Sequence, residues 1–249
     1  MNSSRAVTLS ILQDGLGLNF HAMASPCEVI IQSTNQQLAT QLGDVIAKEV
    51  WRIEDKYSRY DQKSTCSAIN RNAGQSVAID EETFLLLNFA QQCYVLSDGL
   101  FDITSGVLRN AWHFDGSDNL PTNEQVASYL PYVGWEKIQF DPQQITLSKG
   151  MEVDFGGIGK EYAVDRAIIL AKQLTDLPVL VNLGGDLAVT GTRFDNTPWQ
   201  VAIEHPNVDS TKDNSVADMI VSLKSGALAT SGDARRYLTN NGKRYSHVL

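Results

Sequence analysis

Positive charge is scarce in this chain of 249 residues: 20 Lys and Arg stand against 29 Asp and Glu, a net of −9. Nucleic acid and anionic membrane surfaces both demand clustered positive charge, so neither is expected as the main partner. Cysteine is scarce too. Cys27, Cys66 and Cys93 are odd in number and widely spaced. That excludes a disulfide framework or a zinc knuckle and leaves reduced thiols. The four histidines, His21, His113, His205 and His247, show no metal-ligand spacing. No stretch approaches the ~20 apolar residues of a membrane span. Near the N-terminus the run 7–12 is diluted by Thr and Ser and ended by Gln13 and Asp14. It is too short for a signal peptide, and no Cys stands nearby to carry a lipid. The chain as given therefore reads as cytoplasmic, or as periplasmic if a leader has been removed. Repeats, charge blocks and low-complexity tracts are missing as well.

What is present is ordinary globular composition, 43% hydrophobic and 20% charged. At roughly 150 residues per domain, the length allows one large domain or two small ones. In 37–57 Leu38, Leu42, Val45, Ile46, Val50, Ile53 and Tyr57 recur at three- and four-residue steps, predicting a long helix. Asp80 can cap a second helix over 81–96, which is apolar nearly all round and so expected to be buried. A third is predicted over 159–174, with Ala163, Ala167, Leu170, Ala171 and Leu174 on one stripe. Short strands fit 28–33, 137–140, 145–147, 179–182, 199–204 and 219–223, with Asp141-Pro142 as hairpin punctuation. The segments 115–123 and 206–214 read as loops. Strands in pairs, with helices between blocks, favour α+β.

Several familiar motifs fail. Asp154-Phe155-Gly156 mimics the kinase metal motif, but no His-Arg-Asp loop exists. Gly156 to Lys160 mimics a phosphate loop, yet the first Gly would fall on Asp154, and Glu161 stands where Ser or Thr must hold magnesium. Gly157-Ile158-Gly159 opens a dinucleotide pattern whose third Gly would fall on Tyr162. No Gly-x-Ser-x-Gly elbow is present.

Five segments survive, each with a plain structural alternative. Ser58-Arg59-Tyr60, followed by Ser67-Ala68-Ile69-Asn70, is a ligand segment or a helix end with Arg in its last turn. In Ser97 to Gly106, Gly99 fits a helix C-cap. Phe101 and Asp102 there could face a planar heterocycle, or simply lead a helix into a strand. In Val153 to Asp165 a strand enters a glycine turn and then a helix. Backbone N–H groups there can hold anionic oxygens, with Asp154 before and Lys160 after. Val181 to Asp186 ends an apolar strand with Gly184, Gly185 and an acid, a ligand contact or a turn. Ala229 to Asp233, then Gly242 to His247, bring hydroxyls, an acid, basic groups and a histidine together; His247 is otherwise a structural histidine.

In this order the segments resemble the ApbE-type FAD:protein FMN transferases, also known as thiamine biosynthesis lipoproteins. The likeness runs from Met23 to the last residue and marks 1–249 as one ApbE-like domain. Its strongest part, 154–165, is similar to the family's D-[FL]-G-G-I-[AG]-K-G-Y-A-V-D run. The resemblance implies an α+β fold of two T-fold-like halves, with the flavin site between them. It implies FAD as substrate and Mg2+ as cofactor. It implies an acceptor redox protein, such as a subunit of a sodium-pumping NADH:quinone reductase, that offers a Thr or Ser. By motif, Met23 corresponds to a flavin contact, Tyr60, Leu100, Phe101 and Asp102 to isoalloxazine contacts, and Asp154 and Lys160 to FAD contacts. Gly157 aligns with the residue whose carbonyl binds the metal. His247, with Asp233 as second candidate, corresponds to the group that accepts the hydroxyl proton as FMN is transferred and AMP leaves.

Three departures stand out. Glu161 replaces the Gly that is usual after Lys160, and Ala24-Ser25-Pro26 replaces Gly-Thr after Met23. The chain stops at Leu249, inside the family's Tyr-Ser-His run, before the Asp-Pro-x-Thr-Gly turn and the Ala-Asp-x-x-x-Thr segment that supplies the other metal ligands. The C-terminal part of the family domain is therefore expected to be missing. Magnesium prefers six near-octahedral oxygens. That loss reads either as an incomplete form of a longer enzyme or as a shortened, non-catalytic FAD-binding relative; an FAD pyrophosphatase giving FMN and AMP is a third reading.

Overall fold

The computed structural model describes residues 5–115, 117–204, 217–231, 237–240 and 243–246. Helices and antiparallel sheets make the protein α+β, as the sequence predicts. Its α-helices, among the described residues, are α1 (Gln36–Tyr57), α2 (Thr65–Arg71), α3 (Glu81–Leu96), α4 (Asn123–Tyr129) and α5 (Gly159–Leu174). None is long and apolar enough to cross a membrane. The chain forms two compact units: Met1–Glu54 with Gly159–Ser231, and Asp55–Ile158 with Gly232–Leu249.

The first unit is built on a six-stranded antiparallel sheet. Its order is Thr8–Leu12, Gly15–Ala22, Ser25–Ile31, Val179–Leu183, Asp186–Val189, Gly226–Leu228. The first two strands are not among those the sequence predicts. Yet Leu16, Leu18, Phe20 and Ala22 alternate and are all buried, the period-two signature of a sheet with one face in the core. Helix α1 lays Leu42, Ile46 and Val50 into that core, fully buried, each worth about 1.5–3 kcal/mol of burial. A side chain on Gly43 would come within 2.7 Å of Leu18 Cγ, so glycine sets the closeness of helix to strand. The Trp51 indole N–H donates to the His21 carbonyl at 2.9 Å. Helix α5 packs on Val179–Leu183 and Asp186–Val189 through the small stripe Ala163, Ala167 and Ala171. A second ribbon pairs Trp199–Glu204 with Ala217–Leu223. The loop expected over 206–214 lies outside the described residues.

In the second unit the strands Ser76–Ala78, Gln144–Thr146 and Gln139–Phe140 form a three-stranded sheet in that order. Asp141 Oδ1 accepts from the Gln143 and Gln144 N–H groups at 2.8 and 3.0 Å, making the predicted hairpin turn. Ile69, Leu87, Ile145, Leu147, Met151, Val153 and Phe155 form the core. Helix α3 departs from expectation. Its apolar circumference predicts full burial, but only Thr83, Leu86, Leu87 and Ala90 are buried, a stripe at three- and four-residue steps. Leu85, Phe89, Val95 and Leu96 are exposed. The expected loop at 115–123 ends at Thr122, whose capping box with Gln125 starts α4.

Candidate functional site

At one end of the six-stranded sheet two hairpin turns lie side by side. Strands Gly15–Ala22 and Ser25–Ile31 are joined by Met23 and Ala24, with φ of 50° and 56°. Strands Val179–Leu183 and Asp186–Val189 are joined by Gly184 and Gly185, with φ of 71° and 105°. Two-residue hairpins favour left-handed turns of this kind, which cost glycine nothing and strain Met and Ala. The Glu54 carboxylate holds the first turn by accepting from the Met23 N–H at 2.7 Å. In the second, Asn182 Oδ1 accepts from the Gly185 N–H at 2.9 Å, so the glycine pair has a structural role of its own. A side chain on Gly184 would meet Ser25 Cβ at 2.5 Å and come to 3.8 Å from Lys160 Nζ. Asp186 is buried and accepts from the Thr230 N–H at 2.9 Å.

Lys160, in the first turn of α5, therefore faces these turns, and it makes no hydrogen bond or salt bridge among the described residues. Next to it, Glu161 has a buried carboxylate oxygen with no hydrogen-bond partner among the described residues. Burial pushes its pKa up; Asp186 and Asp165 push the same way, and Lys160 opposes them. Cys27, buried beneath, is pushed by that burial to about 11, so it stays a thiol.

The second unit carries the other predicted contacts. Asp154 is extended and caps the short 3-10 turn Phe155–Gly157, its Oδ1 accepting from the Gly156 N–H at 2.9 Å. Its Oδ2 pairs with Arg59 Nη1. Burial alone would lower the Arg59 pKa, but Asp154 and Tyr60 outweigh it and hold the guanidinium charged. Arg59 lies 5.0 Å from the centre of the Tyr60 ring. The Tyr60 side chain is 71% exposed and Leu100 89%. Leu100 follows the end of α3, where Asp98 and Gly99 take φ of 53° and 83° and the Gly99 N–H donates to the Tyr94 carbonyl, the predicted glycine cap. The Phe101 ring lies against the glycine turn: a side chain on Gly157 would meet it at 3.0 Å. Asp102 is already engaged, Oδ1 with the Thr104 N–H and hydroxyl and Oδ2 with the Trp135 N–H at 3.0 Å. Its carboxylate caps the 3-10 helix Ile103–Asn110.

Each unit thus gathers its own group: Met23, Lys160, Asp186 and Thr230 in the first, and Tyr60, Leu100, Phe101, Asp102, Asp154 and Gly157 in the second. His247 and Asp233 lie outside the described residues. The sequence leaves Arg59 open between a ligand segment and a helix end and does not show its pairing with Asp154. The signal was its place between Ser58 and Tyr60.

The ApbE family profile matches residues 23–249. The FAD:protein FMN transferase of Haemophilus influenzae is 29% identical over 88% of this chain and 63% of its own length. That of Vibrio cholerae is 31% identical over 79% and 59%. The chain thus spans about 60% of the length of these curated relatives. Among solved structures, the ApbE protein of Thermotoga maritima superposes with a TM-score of 0.83 at 29% identity, covering 98% of this chain and 76% of that one. The apo flavinyl transferase ApbE of Pseudomonas stutzeri gives 0.78 at 26%, covering 99% and 75%. With the sheet, the glycine turn and the family profile in agreement over nearly its whole described length, the chain belongs to the ApbE family.

Proposed function

We propose that this chain binds FAD and transfers its FMN moiety to a Thr or Ser hydroxyl of an acceptor redox protein, releasing AMP. The observation that carries the reading is Asp154, held between Arg59 and the Gly156 N–H at the mouth of a glycine turn, inside the run most similar to the family's. The names of the Haemophilus and Vibrio relatives support the same reaction. The exposed Tyr60 and Leu100, with the half-buried Phe101, offer apolar surface that a flavin ring would cover. Lys160, unpaired among the described residues, offers an ammonium for the diphosphate.

In the transfer the acceptor oxygen bonds to the phosphorus on the FMN side, and the bond from that phosphorus to the AMP oxygen breaks. The hydroxyl proton goes to His247, with Asp233 as second candidate. When bound, magnesium would neutralise the diphosphate. Gly157 would give it a carbonyl oxygen. No group of three or more His, Cys, Asp or Glu able to hold a metal is found among the described residues. These residues alone do not complete its cage, and the steps assigned to this chain rest on its own groups.

The test incubates the chain with FAD, magnesium and a subunit of a sodium-pumping NADH:quinone reductase. A fluorescent flavin-labelled acceptor band with AMP release supports transfer. AMP and free FMN without a labelled band would mark a pyrophosphatase, and binding without AMP a flavin binder. Asp154→Ala is expected to lose FAD binding, whereas His247→Ala keeps it and loses transfer.

A further inference from the structure

The residues 151–154 that lead into the glycine turn lie in no strand. Their main chain nevertheless has a partner. The Asn70 carboxamide, on α2, donates from Nδ2 to the Val153 carbonyl at 2.9 Å and accepts the Val153 N–H on Oδ1 at 2.8 Å. One amide side chain thus does for Val153 what a neighbouring strand would do. One turn earlier, the buried Cys66 thiol donates to the same carbonyl at 3.4 Å. The next residue is Asp154, whose N–H donates to the Ile103 carbonyl at 2.9 Å.

Helix α2 also holds the other partner of Asp154. The Ser67 hydroxyl donates to the Arg59 carbonyl at 3.4 Å, and that of Ser64 to the Ser58 carbonyl at 2.6 Å. Ser64 itself caps α2 by accepting from the Ser67 N–H at 2.9 Å. One short helix therefore sets the main chain behind both members of the Arg59–Asp154 pair.

We propose that Asn70 is a positioning residue for the nucleotide site: by pairing with Val153 it fixes Asp154 and the Phe155–Gly157 turn in the geometry that binds FAD. The inference rests on the reading that Asp154 contacts FAD.

The test is Asn70→Asp. The introduced carboxylate can still accept from the Val153 N–H, but it sets an oxygen against the Val153 carbonyl with no proton to share. Protonation restores the donor. The charged groups acting on Cys66, one turn before Asn70, are Asp154, Arg59 and Arg109, and Glu152, next to Val153, pairs with Arg109 at 2.8 Å. Burial pushes the Cys66 thiol up to about 12, so it stays a donor throughout. Set against the Val153 carbonyl in a part-buried position, the introduced carboxyl is expected to hold its proton above the ordinary carboxylate range, so that it titrates in mild acid.

FAD affinity is measured for wild type and variant, with melting temperature in the same buffers. At about pH 8 the variant should bind FAD about tenfold more weakly, and near pH 5.5 the gap should close to roughly threefold or less. A folded variant that matches wild type in affinity at the higher pH, with only its melting temperature lowered, overturns the proposal and makes Asn70 purely structural. A gap that does not close in acid overturns it too. If Asn70→Asp does not fold, Asn70→Ser, which keeps one hydroxyl for the Val153 carbonyl, is put to the same affinity comparison. Wild type that binds no FAD overturns the reading of the site itself, a different failure from an unaltered variant.

Discussion

At the scale of the residue, Glu161 stands out as a carboxylate beside Lys160 in the first turn of α5. Here a carboxylate oxygen is buried with no hydrogen-bond partner among the described residues. A buried, unpaired charge is costly, and the group responds by holding its proton to higher pH. The folded state then binds more protons than the unfolded chain. The stability this group allows is present below the ordinary carboxyl pKa and is lost as pH rises through the raised one. Glu161→Gln should therefore raise the melting temperature at about pH 8, with the difference vanishing below about pH 4. Scanning fluorimetry across that range checks it; equal melting at high pH would mean that the carboxylate has found a partner.

At the scale of the element, α3 depends on its cap. Asp80 Oδ1 accepts from the Thr83 N–H at 3.0 Å and from its hydroxyl at 2.7 Å, while Oδ2 takes the Lys56 ammonium at 2.5 Å. Burial would raise the Asp80 pKa, but these bonds outweigh it and hold it at about 2. Its contribution is thus present above the ordinary Asp value and is lost as pH falls from about 4 towards 2. Asp80→Ala should cost about 1 kcal/mol in urea unfolding at neutral pH, and the cost should shrink in acid over that window. The same element shows what an apolar count conceals. A helix buries only the stripe that meets a neighbour, so Leu85, Phe89 and Leu96 stay exposed beside a fully buried Leu87.

At the scale of the whole molecule, each compact unit is assembled from two separate stretches of chain. Predicted ligand contacts fall in both, Met23 and Lys160 in one and Tyr60 and Asp154 in the other. A ligand that binds the folded state alone stabilises it by mass action, by about 2.7 kcal/mol at a hundred times its dissociation constant. FAD at that level should raise the melting temperature by roughly 5–10 °C. Asp154→Ala should abolish the shift while its unliganded melting stays measurable. A wild-type shift of zero would count against FAD as the ligand.

Local signals carried much of this protein. The caps at Asp80 and Gly99, the α5 boundaries and the turn at Asp141 were legible because each is settled by residues a few positions apart. The run from Asp154 was legible because a glycine turn between a strand-like segment and a helix has a chemistry of its own. The strands Thr8–Leu12 and Gly15–Ala22 were not, since Gly15 and Gly17 weaken the pattern and only pairing with Ser25–Ile31 makes them a sheet. Nor could spacing show that Arg59 meets Asp154, 95 residues on, or that Asn70 takes the place of a strand beside Val153, 83 residues on. By itself the sequence determined the fold class, the family and the candidate contacts, because composition, period and motif are local. Tertiary structure alone decided which carboxylates are engaged in caps, which stand unpaired and which side chains hold them. Those outcomes depend on burial and on partners that distant segments bring within hydrogen-bond reach.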